Sequence, residues 1–339
     1  MEKLLTIVVA AYNKEKELPK CLDSIIIEPE LMKLVEVLVI NDGSKDNTLT
    51  IAKKYENKYP GYIYAIDQTN GNYGKVMNHG LSLAKGKYFK TLDADDWYDT
   101  EAYSRFVQML KDTDADMIVN QRTEFLTGTG NYKQLIPLFD NDVVLNKDLN
   151  ASEVNWENGS IRWNLNVPHI TYKTSVLQES GLKWIERISY TDTMYDFWPL
   201  RLVKTVRFVP LNVYVYMIGT DEQSMSPVNI AKNFNHFYQI ANAILDNFKA
   251  HYDKAVPMYS IQLKFVKQIM GYVFMSLLYS DDRIEEIKTL FFKMDFVPEL
   301  QVYFKNSIRD HGVKYLASIE KGRVPFPERA LRLVRRLIK

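Results

Sequence analysis

YFKTLDADDW, from Tyr88 to Trp97, is a short apolar and aromatic run that stops at three carboxylates. Tyr88, Phe89 and Leu92 have the composition and length of a buried strand. Asp93, Asp95 and Asp96 cannot continue it, because anions clustered at the end of a buried strand are costly unless water or a cation meets them. Aspartates at i and i+2 of an extended segment project to one side. Asp93 and Asp95 can therefore converge on one hard divalent ion through oxygen, with Asp96 nearby. A solvated acidic turn, with Asp96 capping a helix that begins near Thr100, is the other reading of the same residues.

The chain before this stretch alternates strand and helix. Leu4 to Ala10 is a continuous apolar run, after which Asn13 offers a cap for a helix carrying Leu18, Leu22 and Ile25 at helical spacing. Pro19 falls early enough in that helix to be tolerated. Val35 to Ile40 is a second strand, followed by the turn at Asn41 to Ser44 and a helix from about Asn47 to Tyr59. Ile63 to Ile66 is a third strand. A loop rich in Asn and Gly leads to a helix around Val76 to Ala84, and Tyr88 to Leu92 is the fourth strand. A helix from Glu101 to Leu110 and a strand from Asp116 to Asn120 extend the series. Fully apolar strands in a βαβα series mean a parallel sheet covered on both faces.

Ligands of such sheets sit beyond the carboxyl ends of the strands. The residues delivered there are Ala11 to Asn13, Asn41 to Ser44, Asp67 to Lys75 and Asp93 to Asp96. No glycine-rich dinucleotide fingerprint follows the first strand, and Gly71 to Val76 lacks the glycine gap and the hydroxyl residue of a P-loop. What remains is a site with an aspartate for a sugar or base hydroxyl, a lysine for phosphate, and carboxylates for a metal. Length and composition bound the reading. The chain has 339 residues, 46% of them hydrophobic, enough for one large domain and a smaller one. A formal charge of +1 argues against a dedicated nucleic-acid binder. The lone Cys21 excludes a disulfide framework and a cysteine-based zinc site, and fits a reducing compartment. The N-terminus reads as a first strand rather than a signal peptide, and no apolar stretch has the length of a membrane span.

TIVVAAYN, EVLVINDGSKDNT and NGNYGKVMNHGLSLAKGKYFKTLDADDW, in this order and spacing, resemble the nucleotide-sugar half of glycosyltransferase family 2. The resemblance runs from residue 4 to about 125 and continues more weakly to about 227. It implies an α/β GT-A fold, a nucleoside diphosphate sugar donor with uridine the habitual base, and inversion at the anomeric carbon. By position, Ala10, Ala11 and Tyr12 would line the base pocket and Asp42 would hold the nucleoside. Asn70 and Lys75 would lie along the donor, and Asp93 and Asp95 would form the DXD motif that binds Mn2+ or Mg2+. The chain departs from the family at Ala10, where proline is common, and at Met77, where arginine precedes the asparagine matched by Asn78. Lys75 is one source of the missing charge.

An inverting transfer is a single in-line displacement, so the acceptor hydroxyl needs a base on the face opposite the departing diphosphate. The segment from Ile188 to Trp198 resembles the family's base-bearing helix start, with Thr191-Asp192 where Glu-Asp is usual. Asp192 is the expected base. Asp196, one helical turn on and sharing its face, is the reserve. A simple helix-capping role is the plainer reading of Asp192. Between Phe125 and Trp184, where the acceptor should be read, Trp156, Trp163, His169 and Tyr172 are either sugar-stacking residues or core. His169, a lone histidine, is expected to be structural rather than a ligand.

The expected domains are a GT-A domain over 1–227, with its donor half at about 1–125 and its acceptor half at about 126–227, a helical domain over 228–320, and a basic amphipathic tail over 321–339. In the helical domain Phe234, Phe237, Ile240, Ala241, Ile244 and Leu245 keep one face apolar, which would serve to cover the acceptor, to form a homodimer or to stabilise. The expected function is metal-dependent transfer of a sugar from a UDP-sugar to a glycan or lipid-linked saccharide, in the cytoplasm or on the inner face of the membrane. A catalytically silent nucleotide-sugar-binding scaffold and a nucleotidyltransferase are the alternatives. In the tail, Phe326, Leu331, Val334 and Leu337 form an apolar stripe beside Arg329, Arg332, Arg335 and Arg336. That pattern suits either a membrane surface or a docked helix with a solvated basic face. On the membrane reading, deleting the chain after Arg323 lowers co-sedimentation with anionic vesicles, and unchanged sedimentation removes it.

Overall fold

The structure, a computed structural model, describes residues 2–306 apart from 134, 136–137, 140–142, 157–164, 220–228, 230–231, 277–282 and 305. Trp163 and the basic tail at 321–339 lie outside the described residues. The chain divides into two compact units, one of residues 1–223 with 254–262 and the other of residues 224–253 with 263–339.

The first unit is built on strands that their sequence makes almost wholly apolar. β1 (Leu5–Ala11), β2 (Val35–Asn41), β3 (Ile63–Asp67) and β4 (Tyr88–Asp93) lie side by side in the order β3-β2-β1-β4, all parallel. Ile7, Val9, Val37 and Val39 are fully buried, and side chains of this kind contribute about 1.5–3 kcal/mol each on leaving water. The connecting helices are α1 (Leu18–Ile25), a single turn α2 (Pro29–Met32), α3 (Thr48–Lys58) and α4 (Asn72–Leu83). Leu18, Leu22 and Ile25 are buried as their spacing predicts, and Pro19 occupies the first turn. Asn13 is not the cap of α1. It sits in the left-handed region at φ 52°, and Glu17 precedes the helix without a side-chain cap. Helix α4 starts at Asn72, ahead of the expected Val76. It lies close on β1, where a Cβ on Gly80 would run into the side chain of Val8.

Register places the strand ends in one row. Ala11 lies opposite Asn41, Asn41 opposite Asp67, and Ala10 opposite Asp93. The loops that follow these residues therefore open on one crevice.

Beyond β4 the sheet is mixed, which the periodicity did not predict. After the short β5 (Trp97–Tyr98) and helix α5 (Thr100–Met109), β6 (Met117–Leu126) runs well past Asn120 and pairs with the hairpin strand β7 (Asn131–Lys133). β8 (Asp148–Asn150) is an edge piece, and β9 (Ile170–Lys173) inserts antiparallel between β4 and β6. After α6 (Thr174–Glu179) and α7 (Asp192–Phe197) comes β10 (Thr205–Ile218), parallel to β6 and antiparallel to β5 and β8. A four-residue strand such as Ile170–Lys173 carries too little pattern to reveal its direction.

In the second unit, α8 (Phe234–Ala250) buries the predicted face from Phe234 to Leu245 and adds Phe248. α9 (Tyr259–Ser276) follows, then α10 (Ile284–Lys293), whose last residue Lys293 donates to Asn242 and Asp246 of α8, each at 2.6 Å. Among the described residues no helix is long and apolar enough to cross a membrane.

Lys90 on β4 is fully buried, without a carboxylate partner among the described residues. Its ammonium donates to Asn120 Oδ1 at 3.0 Å and to the carbonyls of Pro168 and Ile170 at 3.3 Å. Burial pulls its pKa down to about 7. An unfolded lysine titrates at about 10.4, so between these values the unfolded chain holds a proton that the folded chain has shed, and stability from this site rises with pH across the window. Lys90→Met has no such proton. In urea melts the difference between wild type and variant should move toward the wild type from about pH 7 to about pH 10, and parallel curves would refute the account.

Candidate active site

Three carboxylates crowd the end of β4. Asp93 and Asp95 are half-buried, Asp96 is buried, and each offers an oxygen within 4.8 Å of the others. Asp96 is committed to the fold, since Tyr214 Oη donates to its Oδ2 at 2.6 Å and the Met217 N–H to its Oδ1 at 2.7 Å. Helix α5 is capped instead by Asp99, whose Oδ1 accepts from the Ala102 N–H at 2.9 Å. Asp95 pairs through Oδ2 with Lys14 at 3.0 Å. Burial, then Asp95, Asp96 and Asp192, raise Asp93 well above the carboxylate range, with Lys14 opposing. Burial and Asp95 push Asp96 up to about 7, against the two hydrogen bonds and Arg122. Carboxylates alone, bunched and short of counter-charge, form a donor set for a hard cation such as Mg2+ or Mn2+. The oxygens left to it are those of Asp93 and Oδ1 of Asp95.

Along the crevice, Tyr12 follows β1 with 47% of its surface exposed, beside Ala10 and the buried Ala11. Asp42 is buried and holds the loop after β3: its Oδ1 accepts from Gln68 Nε2 at 2.8 Å and from the Gly71 N–H at 3.0 Å. Asn70 Nδ2 donates to the Asp42 carbonyl at 2.9 Å. A carboxylate has about four acceptor positions, so Asp42 keeps room for a further donor. Lys75 turns back onto the loop, donating to Thr69 O at 2.8 Å and to Thr69 Oγ1 at 2.6 Å.

The segment before α7 is pinned to α4. Asn78 pairs with the Trp184 backbone in both directions, Nδ2 to the carbonyl and Oδ1 from the N–H, each at 2.9 Å, and its Nδ2 also reaches Glu186 at 3.2 Å. The Arg187 N–H donates to the Gly71 carbonyl at 2.7 Å. This pinning brings Asp192, the first residue of α7, near enough for its charge to raise Asp93. Asp192 is open to solvent, yet protein on several sides raises its carboxyl, while the N–H groups of Asp192 and Thr193 offset part of that. Exposure together with surrounding protein is what a crevice wall produces. Asp196 lies buried behind it, raised by burial and by Asp192, so the exposed member of the pair is Asp192.

Sequence reasoning missed Tyr73, Arg122 and Tyr216. Tyr73 and Tyr216 both feel Asp93 and Asp192, while Arg122 stacks its guanidinium 5.1 Å from the Tyr216 ring and its charge lowers Asp96. Arg122 and Tyr216 lie on parts of β6 and β10 that reach the site only through the register of those strands. Trp156 and Tyr172 are core residues, Trp156 donating through Nε1 to the Ala151 carbonyl and Tyr172 packing on Tyr195. His169 is buried, and burial with Arg122 and Lys90 holds it neutral.

Residues 6–183 match Glycosyl transferase family 2, and the chain belongs to that family. Its curated relatives are glycosyltransferases, which favours a transferase over the nucleotidyltransferase and silent-scaffold readings. It is 25% identical to the uncharacterized glycosyltransferase YibD of Escherichia coli over 75% of this chain and 74% of that protein. It is 25% identical to the poly(ribitol-phosphate) beta-glucosyltransferase of Bacillus spizizenii over 73% of this chain but 37% of the relative. The chain spans about a third of the length of several other curated relatives it matches. The fold is that of S. aureus TarS 1-349, solved with UDP-GlcNAc, at a TM-score of 0.70 and 18% identity over 99% of this chain and 90% of that one. The architecture is therefore GT-A, followed by a helical region.

A Cβ at Gly74 would fall on the Ile185 carbonyl oxygen, so Gly74→Ala must push the segment before α7 off α4. Displacements of about 1 Å at a reacting group cost on the order of 100-fold. Gly74→Ala should therefore lower turnover by roughly 10- to 100-fold in a sample whose circular dichroism is unchanged, and full activity would show that the contact does not position the site.

Proposed function

We propose that this glycosyltransferase moves a sugar from a UDP-sugar to a hydroxyl of a glycan or lipid-linked saccharide, with inversion at the anomeric carbon. The observation that carries the reading is the row of strand ends that sets Tyr12, the Asp42-held loop and the carboxylates of Asp93 and Asp95 on one crevice, with the exposed Asp192 near enough for its charge to raise Asp93. The UDP-GlcNAc bound by TarS and the GDP-Man and Mn2+ of the Pyrobaculum calidifontis mannosyltransferase, a fold neighbour at TM-score 0.53, support a nucleotide-sugar donor and a metal.

In this mechanism the exposed ring of Tyr12 stacks on the base, Ala10 and Ala11 leave room for it, and Asp42 accepts from the nucleoside. Asn70 and Lys75 shape the loop beneath the donor. A divalent ion on Asp93 and Asp95 would stabilise the charge on the departing diphosphate. Asp192 takes the proton of the acceptor hydroxyl as its oxygen bonds the anomeric carbon, and the bond from that carbon to the diphosphate oxygen breaks with its electrons going to the diphosphate. The raised pKa of Asp192 makes it a better proton acceptor than an ordinary surface aspartate. Asp196 stays behind it, buried. A lipid-linked acceptor would bring the enzyme to the cytoplasmic face of the membrane, where the basic tail at 321–339 has a role.

Calorimetric titration with UDP, with and without Mn2+, tests the donor half. Binding should require the metal and disappear in Asp95→Asn. Asp192→Asn should keep UDP binding within about twofold while turnover falls by on the order of 1,000-fold, within the range that general bases contribute. Full transfer activity in both variants would reject the site.

A further inference from the structure

Arg187 stands in a costly backbone state. Its φ of 65° lies in the left-handed region, which a residue with a long side chain occupies only when its surroundings hold it there. The hold is visible: its N–H donates to the Gly71 carbonyl at 2.7 Å, and the Asn78 contacts to Trp184 and Glu186 fix the residues just before it. Gly71 is in turn the residue whose N–H Asp42 grips, so Arg187 is fastened to the foot of the donor loop.

Among the described residues the side chain thus held has no partner. Arg187 is exposed, and among the described residues its guanidinium enters no ion pair or hydrogen bond. Three other cations near the carboxylates and the donor loop are engaged: Lys14 with Asp95, Lys75 with Thr69, and Arg122 with Glu124 and the Tyr216 ring. Residue 77 of α4 is a fully buried methionine and brings no charge. A nucleoside diphosphate entering a crevice that already holds Asp93, Asp95 and Asp192 needs a cation on the side away from the metal. A guanidinium suits it, presenting a planar fork of donors that matches phosphate oxygens.

We infer that Arg187 binds the diphosphate of the nucleotide donor, supplying from the segment before α7 the charge that Met77 does not supply from α4. The inference rests on the donor reading proposed above. It also gives the left-handed backbone a purpose, because the same contact that strains Arg187 ties phosphate binding to the segment that carries Asp192.

The test is calorimetric titration of the full chain and its variants with uridine, UMP and UDP in the presence of Mn2+. A charge-assisted contact of this kind is worth roughly 10- to 100-fold in affinity. Arg187→Gln should lose at least 10-fold in UDP affinity while uridine binds as to the wild type, and Arg187→Lys should recover part of the loss. Arg187→Gly, which relaxes the left-handed backbone, should lose UDP affinity like the glutamine variant, showing that charge rather than strain is responsible. UDP binding to Arg187→Gln within twofold of wild type, or an equal loss for uridine and UDP, would overturn the inference. Failure of the wild type to bind either ligand would strike the donor reading, and this assignment with it.

Discussion

Like charges at the end of a buried strand repel, and this site exists because the fold constrains them. Asp96 is the anchor of that constraint. Tyr214 and Met217, both on β10, donate to its two oxygens, and Tyr214 Oη also accepts from the Asp93 N–H at 3.4 Å. β10 thereby holds the turn that presents Asp93 and Asp95. Without these donors a buried carboxylate among two others would be a liability of several kcal/mol, about the cost of an uncompensated buried ion. With them, Asp93 and Asp95 are left close together with oxygens to spare, and the repulsion between them is relieved when a cation arrives.

A second constraint runs along α4. Its N-terminal turn belongs to the loop that Asp42 holds, and its middle carries Gly74 and Asn78, which receive the segment leading to Asp192. The loop proposed to cradle the donor and the residue proposed to deprotonate the acceptor therefore lean on the same helix. Contacts between backbone groups and a glycine leave little freedom to either side. A displacement of the loop would be transmitted to Asp192 through a few hydrogen bonds rather than through a soft hydrophobic contact.

Much of the donor half is legible in the sequence. Leu5, Val9, Val37, Val39 and Leu92 are buried because continuous apolar runs of strand length leave them no other place. The parallel order follows from the intervening helices, and strand-end residues such as Tyr12, Asp42 and Asp93 are identified by where the runs stop. Asn13 was misread because local chemistry permits both a cap and a left-handed turn, and the second prevailed. The mixed half is harder. β9 is too short to announce its direction, and Trp156 and Tyr172 look the same in sequence whether they stack on a sugar or on Phe208 and Tyr195.

By itself the sequence determined the strand and helix series, the family to which the chain belongs, and the carboxylate pair at the end of β4, because each is written in residues that are neighbours along the chain. Only the tertiary structure decided that Asp96 is a strut, that Lys75 folds back on Thr69, that Arg122 and Tyr216 face the site, and that Asp192 rather than Asp196 is open to solvent. Those distinctions depend on partners such as Tyr214 and Asp96, 118 positions apart, whose meeting is set by sheet register and which no local pattern records.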